Sequence, residues 1–158
     1  MEKIKIFKNS AFKDKRGLLW TSWNNKILNY KFNHDKFSIS KKNVFRGLHG
    51  DKKTYKLLTC VFGKVFFVYI NVNKKSKNYL KAKTLILSHE NRKSILLPPY
   101  YLNGHYCLSN ECVFHYKLFY KGKYFDTKDQ LSMKWNDKRI QIKWPFSKSV
   151  ITSKRDKC

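Results

Sequence analysis

Acidic side chains are scarce in this 158-residue chain: 10 Asp plus Glu stand against 35 Lys plus Arg, a formal net charge of +25. Such a surface selects anionic partners, whether nucleic acid, anionic lipid or a phosphorylated small molecule. Proline and glycine are also few, at three and six, which excludes collagen-like and low-complexity chains; without a linker or an internal repeat, residues 1–158 read as a single domain. Cys60, Cys107, Cys112 and Cys158 include no C-x-x-C pair, so their spacing suggests neither structural zinc nor a disulfide framework. The longest apolar run, Val65 to Ile70, falls far short of the ~20 residues that span a bilayer as a helix. The N-terminus, Met1-Glu-Lys-Ile-Lys-Ile-Phe-Lys8, alternates charged and apolar residues and lacks a signal-peptide h-region. A cytoplasmic protein without a membrane partner is the expectation. No G-x-x-x-x-G-K-[ST], G-x-G-x-x-G or G-x-S-x-G occurs, which removes phosphate-loop and nucleophile-elbow chemistry. A metal cupin needs an H-x-H pair and a following carboxylate, whereas His49 is followed by Gly50-Asp51; no metal site is expected.

What is present is apolar and aromatic. With 42% hydrophobic and 16% aromatic residues the chain is no disordered polycation. Strand-like patterning covers Met1 to Lys8, Tyr55 to Phe62, Lys64 to Val72, Leu80 to Leu87, Ser94 to Leu97 and Val113 to Phe119, with Gly63 as a hairpin turn between the second and third. Helical spacing is confined to a turn or two within Trp20 to Tyr30. Many short, closely spaced strands predict an all-β sandwich or barrel with few short helices.

Three stretches carry candidate chemistry. Asn43-Val-Phe-Arg-Gly-Leu-His-Gly-Asp51 places Arg46 and His49 three residues apart. In a regular strand they would point to opposite faces, but a bulge at Gly47 would bring them together; otherwise Arg46 is a solvated charge and His49 a satisfied loop histidine. In Leu97-Pro-Pro-Tyr-Tyr-Leu-Asn-Gly-His105 the prolines end a strand and Asn103-Gly104 is expected to turn the chain back. In Phe114-His-Tyr-Lys117 alternation groups Phe114 with Tyr116 and His115 with Lys117. Tyr116 is then either core with its hydroxyl satisfied or a residue facing a cavity.

In order along the chain, these pieces resemble the dTDP-4-dehydrorhamnose 3,5-epimerase family of nucleotide-sugar cupins. The matching residues are Phe12-Lys-Asp-Lys-Arg-Gly17, Ser40-Lys-Lys-Asn-Val-Phe-Arg-Gly-Leu-His49, Lys56-Leu57, Leu87-Ser-His-Glu-Asn91, Leu97-Pro98, Leu108-Ser109, Tyr116-Lys117, Trp135-Asn-Asp137 and Trp144-Pro-Phe146. The resemblance implies a cupin jelly-roll, or double-stranded β-helix, that works as a cofactor-free homodimer whose N-terminal strands reach the neighbouring subunit. It implies His49 as base with Asp156 as its acidic partner, Lys56 near the substrate carbonyl, and Tyr116 as proton donor. Arg46 and Arg16 would hold the diphosphate. Asn103, His105, Ser38, His34 and Lys36 fall at substrate-binding positions, and a further family tyrosine corresponds to Tyr120 or Tyr124. Several positions depart from the rhamnose-type pattern: Gly50-Asp51 after His49, Leu102-Asn-Gly-His105, Thr21 in place of a glutamate, and His34 and Lys36. These variants look more like epimerases of GDP-linked 4-keto-6-deoxy-heptoses in capsule synthesis.

The residue types suit the implied reaction. Carbon next to a ketone loses a proton to form an enolate, so epimerisation needs a base on one face, a donor on the other and positive charge at the oxyanion. Histidine, with an unperturbed pKa of about 6.5, serves as a base near neutrality, and an aspartate partner fixes its tautomer. A competing class is a basic nucleic-acid-binding β-barrel, but Lys and Arg are dispersed singly and in pairs, without a block of five or more, so no specific nucleic acid is expected. A 3,4-ketoisomerase on the same fold would share the enolate step, and the sequence leaves open whether C3, C5 or both are inverted.

Overall fold

The computed structural model describes residues 3–124, 129–147 and 149–157. Along the chain these form β1 (Lys5–Lys8), β2 (Ala11–Asp14), β3 (Gly17–Trp20), β4 (His34–Lys41), β5 (Phe45–Gly50), β6 (Tyr55–Phe62), β7 (Lys64–Asn71), β8 (Ala82–Ser88), β9 (Lys93–Leu97), β10 (Tyr101–Cys107), β11 (Glu111–Phe119), β12 (Leu131–Ser132) and one short helix, α1 (Lys154–Lys157). Two five-stranded sheets result, ordered β1-β9-β6-β11-β4 and β12-β5-β10-β7-β8, with β2-β3 as a separate hairpin. Neighbouring strands are antiparallel throughout, as the expected jelly-roll sandwich requires.

Alternation along β6 and β7 turns Leu58, Cys60, Val65 and Phe67 inward, where they meet Leu87, Ile95, Leu97, Cys107 and Phe114 in the core between the sheets. Each such side chain stabilises the fold by about 1.5–3 kcal/mol when fully withdrawn from water. The outer faces are covered by loops. Leu28, Trp23, Tyr30 and Phe32 lie over Leu57 and Leu96 on the first sheet, from a turn in which Asn24 O accepts the N–H groups of Ile27 and Leu28. Ile140, Trp144 and Phe146 lie over Phe45, Leu48, Val68 and Ile70 on the second.

Several boundaries differ from the sequence reading. The first strand starts only at Lys5; Met1 and Glu2, like Cys158, lie outside the described residues. The strand expected from Leu80 starts at Ala82, because Leu80 has a positive φ of 58° and its N–H closes a turn onto Asn71 O. Asn103 and Gly104 do not turn the chain: they lie inside β10, paired to Tyr69 and Val68 of β7. His105 is likewise a core residue. It is fully buried and stacked on Phe114 at 4.4 Å between ring centroids, with neither ring nitrogen hydrogen-bonded. Burial, reinforced by the Arg46 charge, pulls its pKa down to about 3 and keeps it neutral.

Candidate active site

Arg46 and His49 do share a face, because β5 is bulged. Opposite it on β10, Asn103 pairs with His49 and His105 with Arg46, so three steps along β5 answer two along β10. The irregularity sits at Gly47, with φ of +133°, where a Cβ would come within 2.5 Å of Gly104 Cα. Two glycines thus let the strands approach at the point where the bulge re-aims both side chains. Arg46 and His49 then line a cavity of about 270 Å³ with Lys36, Ser38, Lys56, Asn103, Tyr116, Tyr124 and Asp156.

The chain's end reaches this cavity through a parallel bridge between Val44 and Ile151, with Ile151 O accepting the Phe45 N–H at 2.9 Å. That contact places α1 against β5 and brings Asp156 Oδ1 to 2.6 Å from His49 Nε2. The Asp156 side chain is 5% exposed and that of His49 20%. Burial works to raise the Asp156 pKa, but hydrogen bonds from His49 and Ser153 and the His49 charge outweigh it and leave it below the usual carboxylate value. An ionised carboxylate only accepts, so the ring proton belongs on Nε2 and Nδ1 keeps its lone pair. Nδ1 stands 3.0 Å from Ser132 Oγ.

Lys56 enters from β6 in the other sheet, almost wholly buried, and donates to Asn103 Oδ1 at 2.7 Å and Tyr101 O at 3.0 Å. Burial lowers its pKa to about 8, against the opposing charge of Asp51. Asp51 is itself fixed by the Lys53 and Thr54 N–H groups at 2.8 and 2.7 Å, a local turn of the Asx type. Tyr116 lies on β11 opposite Lys36 of β4; burial pushes its pKa up to about 12, despite the pull of Ser38 and Arg46. One wall therefore carries an imidazole paired with a carboxylate, while the other carries a phenol that stays protonated and an ammonium. Such an arrangement can remove a proton, hold an oxyanion and return a proton.

At the mouth, Tyr124 lines the cavity under Lys36 Nζ, 5.8 Å from the ring centroid. His34 packs on Tyr124 at 4.7 Å and bonds Tyr120 OH at 3.2 Å. Of the two candidate tyrosines Tyr124 faces the cavity; Tyr120 and His34 stand behind it. Arg46 is held by Ser40 Oγ at 2.9 Å. Arg16 is not in the cavity: it lies on the β2–β3 hairpin, 81% exposed and paired with Asp14 at 2.6 Å. Lining residues that sequence reasoning did not single out are Thr54, Leu118, Gln130, Ser153 and Arg155. Ser153 and Arg155 precede Asp156 by three residues and one, a signal that was available; Gln130 sits in an unpatterned loop. Among the described residues no three His, Cys, Asp or Glu side chains gather as a metal site, and no helix is long and apolar enough to cross a membrane.

The family model described as dTDP-4-dehydrorhamnose 3,5-epimerase matches residues 1–158. The chain belongs to this family. The Escherichia coli K12 dTDP-4-dehydrorhamnose 3,5-epimerase is 33% identical over 165 residues, covering 99% of this chain and 88% of that protein. The Salmonella typhimurium LT2 enzyme is 33% identical over 162 residues, covering 97% and 87%. Among solved structures, the Legionella pneumophila epimerase in complex with dTDP-4-keto-L-rhamnose superposes with a TM-score of 0.88 at 29% identity, over 97% of this chain and 84% of that one. The Bacillus anthracis epimerase with TDP and PPi bound gives 0.89 at 28%, over 97% and 90%. The protein is accordingly a carbohydrate epimerase, of the isomerase class, on the jelly-roll scaffold of this family.

Proposed function

We propose that this epimerase acts on a nucleotide-diphosphate 4-keto-6-deoxy sugar, inverting C3, C5 or both, in cytoplasmic synthesis of surface or capsular polysaccharide sugars. His49 takes the proton from carbon next to the C4 ketone. The electron pair of that C–H bond moves onto the ketone oxygen, where the Lys56 ammonium meets the developing charge. Tyr116 then gives its hydroxyl proton to the opposite face of the carbon. No redox partner is needed. The observation that carries this reading is the opposition of the His49–Asp156 pair on one sheet to a protonated Tyr116 on the other, within one cavity. The ligands of the Legionella and Bacillus relatives, a dTDP-keto sugar and TDP with PPi, support a nucleotide sugar as the substrate class.

Within that class we assign a GDP-linked sugar, a heptose in capsule synthesis. Arg46 recognises a diphosphate whatever the base, so base choice falls to the mouth, where Lys36 and Tyr124 line the cavity and His34 backs Tyr124. A purine is larger than thymine and offers N7 and O6 acceptors to a Lys or His donor. Calorimetry should show GDP binding more tightly than dTDP, with Lys36→Ala and His34→Ala narrowing the difference; a clear dTDP preference returns the substrate to the rhamnose type.

The working unit in this proposal is a homodimer. Supporting it, Arg16 sits on a hairpin outside its own cavity, beside Phe12, Leu18 and Leu19, and Phe37 and Ile39 are exposed on β4. Sedimentation should give twice the chain mass; a fully active monomer would remove the dimer.

A further inference from the structure

His49 has two partners, and only Asp156 belongs to the reaction cavity. The other, Ser132, pairs with His49 across the β12–β5 ladder and lines a second cavity of about 530 Å³ beside Leu131, Met133, Tyr100 and Lys52. The Ser132 hydroxyl is 3.0 Å from His49 Nδ1 and accepts from Arg155 Nη2 at 3.1 Å. With its oxygen accepting from the guanidinium, the hydroxyl's own proton is the one directed at Nδ1. A single solvent-exposed hydroxyl therefore connects the imidazole of one cavity to the water of another.

We propose that Ser132 is the exit through which His49 loses the abstracted proton while the sugar is still bound. The inference rests on His49 being the base. Once a sugar occupies the first cavity, that side of the imidazole is closed to water, and Nε2 is sealed by the buried Asp156 carboxylate. Nδ1 alone retains a route to solvent. During abstraction the ring, pivoting on the retained Nε2–Asp156 hydrogen bond, turns Nδ1 from Ser132 to the substrate; it then turns back to Ser132, whose hydroxyl rotates to accept. The Nδ1–H bond breaks, leaving its electron pair on Nδ1, as the proton passes to Oγ and the former Oγ–H proton passes to water in the second cavity. Serine ends unchanged and His49 is again a base. Lys74, Lys75, Lys52 and Arg139 around that cavity also draw in anionic buffer bases that accept the proton.

The route predicts exchange without product release, and the test separates it from the role of His49. Unlabelled 4-keto substrate is turned over in D2O, and NMR follows both epimer formation and deuterium washed into recovered, unepimerised substrate. Ser132→Val fills the position without a hydroxyl, which an edge strand tolerates. It should lower the ratio of wash-in to epimerisation by roughly tenfold or more, because the trapped proton returns to the carbon it left. Ser132→Thr should restore the ratio. Loss of His49 orientation alone would slow both processes in parallel and leave the ratio unchanged, which overturns the exit. Should Ser132→Val not fold, Ser132→Ala is read with added imidazole: reduced wash-in rescued by imidazole supports the exit, and wild-type wash-in without it overturns it. Epimerisation by the wild-type enzyme without wash-in would overturn the exit, whereas wash-in that persists in folded His49→Asn would instead remove the base reading beneath it.

Discussion

Lys56 holds its charge against its surroundings. Burial brings its pKa to about 8, whereas Tyr116 is pushed up to about 12, so the two groups titrate in separate ranges. If the ammonium faces the oxyanion, kcat falls as pH rises through about 8, while Tyr116 still carries its proton. Lys56→Met should abolish that limb and lower kcat roughly 10²-fold, as loss of one oxyanion donor does elsewhere; a limb that survives the substitution contradicts the role. Stability changes in the opposite sense. Between about 8 and the ordinary lysine value near 10.4 the unfolded chain keeps a proton that the folded chain has lost, so unfolding becomes harder with rising pH. Below about 8 both states are charged and the burial penalty is felt in full. Urea midpoints of wild type against Lys56→Met across that window isolate the effect.

The seam between β5 and β10 sets the geometry of the catalytic wall. A Cβ at Gly104 would lie 2.8 Å from Arg46 O and 2.9 Å from Leu48 Cδ2. Gly104→Ala should therefore push the bulge outward, costing about 1–3 kcal/mol in urea unfolding and parting His49 from Asp156, with activity lost beyond what the stability change explains. An unchanged midpoint with full activity would show that the seam does not hold the site. The same seam explains what the sequence disclosed and what it concealed. Tyr55 to Phe62 is legible with its true bounds because both of its faces are buried. In His34–Lys41 the order is inverted: Lys36 and Ser38 face the cavity while Phe37 and Ile39 face out, so apolar periodicity points the wrong way. Asn103-Gly104 has the composition of a turn, yet Gly104 is there for the close approach of β5. The Gly47 bulge was one of two alternatives the spacing of Arg46 and His49 left open, and the register shift between β5 and β10 decides for it. The pairing of Asp156 with His49, 107 residues apart, has no local signature and was readable only through the family resemblance.

At the scale of the molecule, the sandwich supplies what neither sheet has alone. One sheet carries His49, with Asp156 delivered by the chain's end, and the other carries Lys56 and Tyr116. The outer faces are closed by the 23–32 and 133–146 segments; no feature of the cavity accounts for the +25 charge. The fold class was legible in composition and strand spacing, whereas the opposition of base and donor is a property of the closed sandwich. The central claim is that this opposition moves protons at carbon next to a ketone, and deuterium exchange measures it most directly. Candidate nucleotide 4-keto sugars are incubated in D2O with wild type, His49→Asn and Asp156→Asn, and C3 and C5 are followed by NMR. Exchange with the wild-type enzyme, its loss by roughly 10²–10⁴-fold in folded His49→Asn and a smaller loss in Asp156→Asn are the predicted results; near-normal deuterium incorporation by folded His49→Asn would contradict the account.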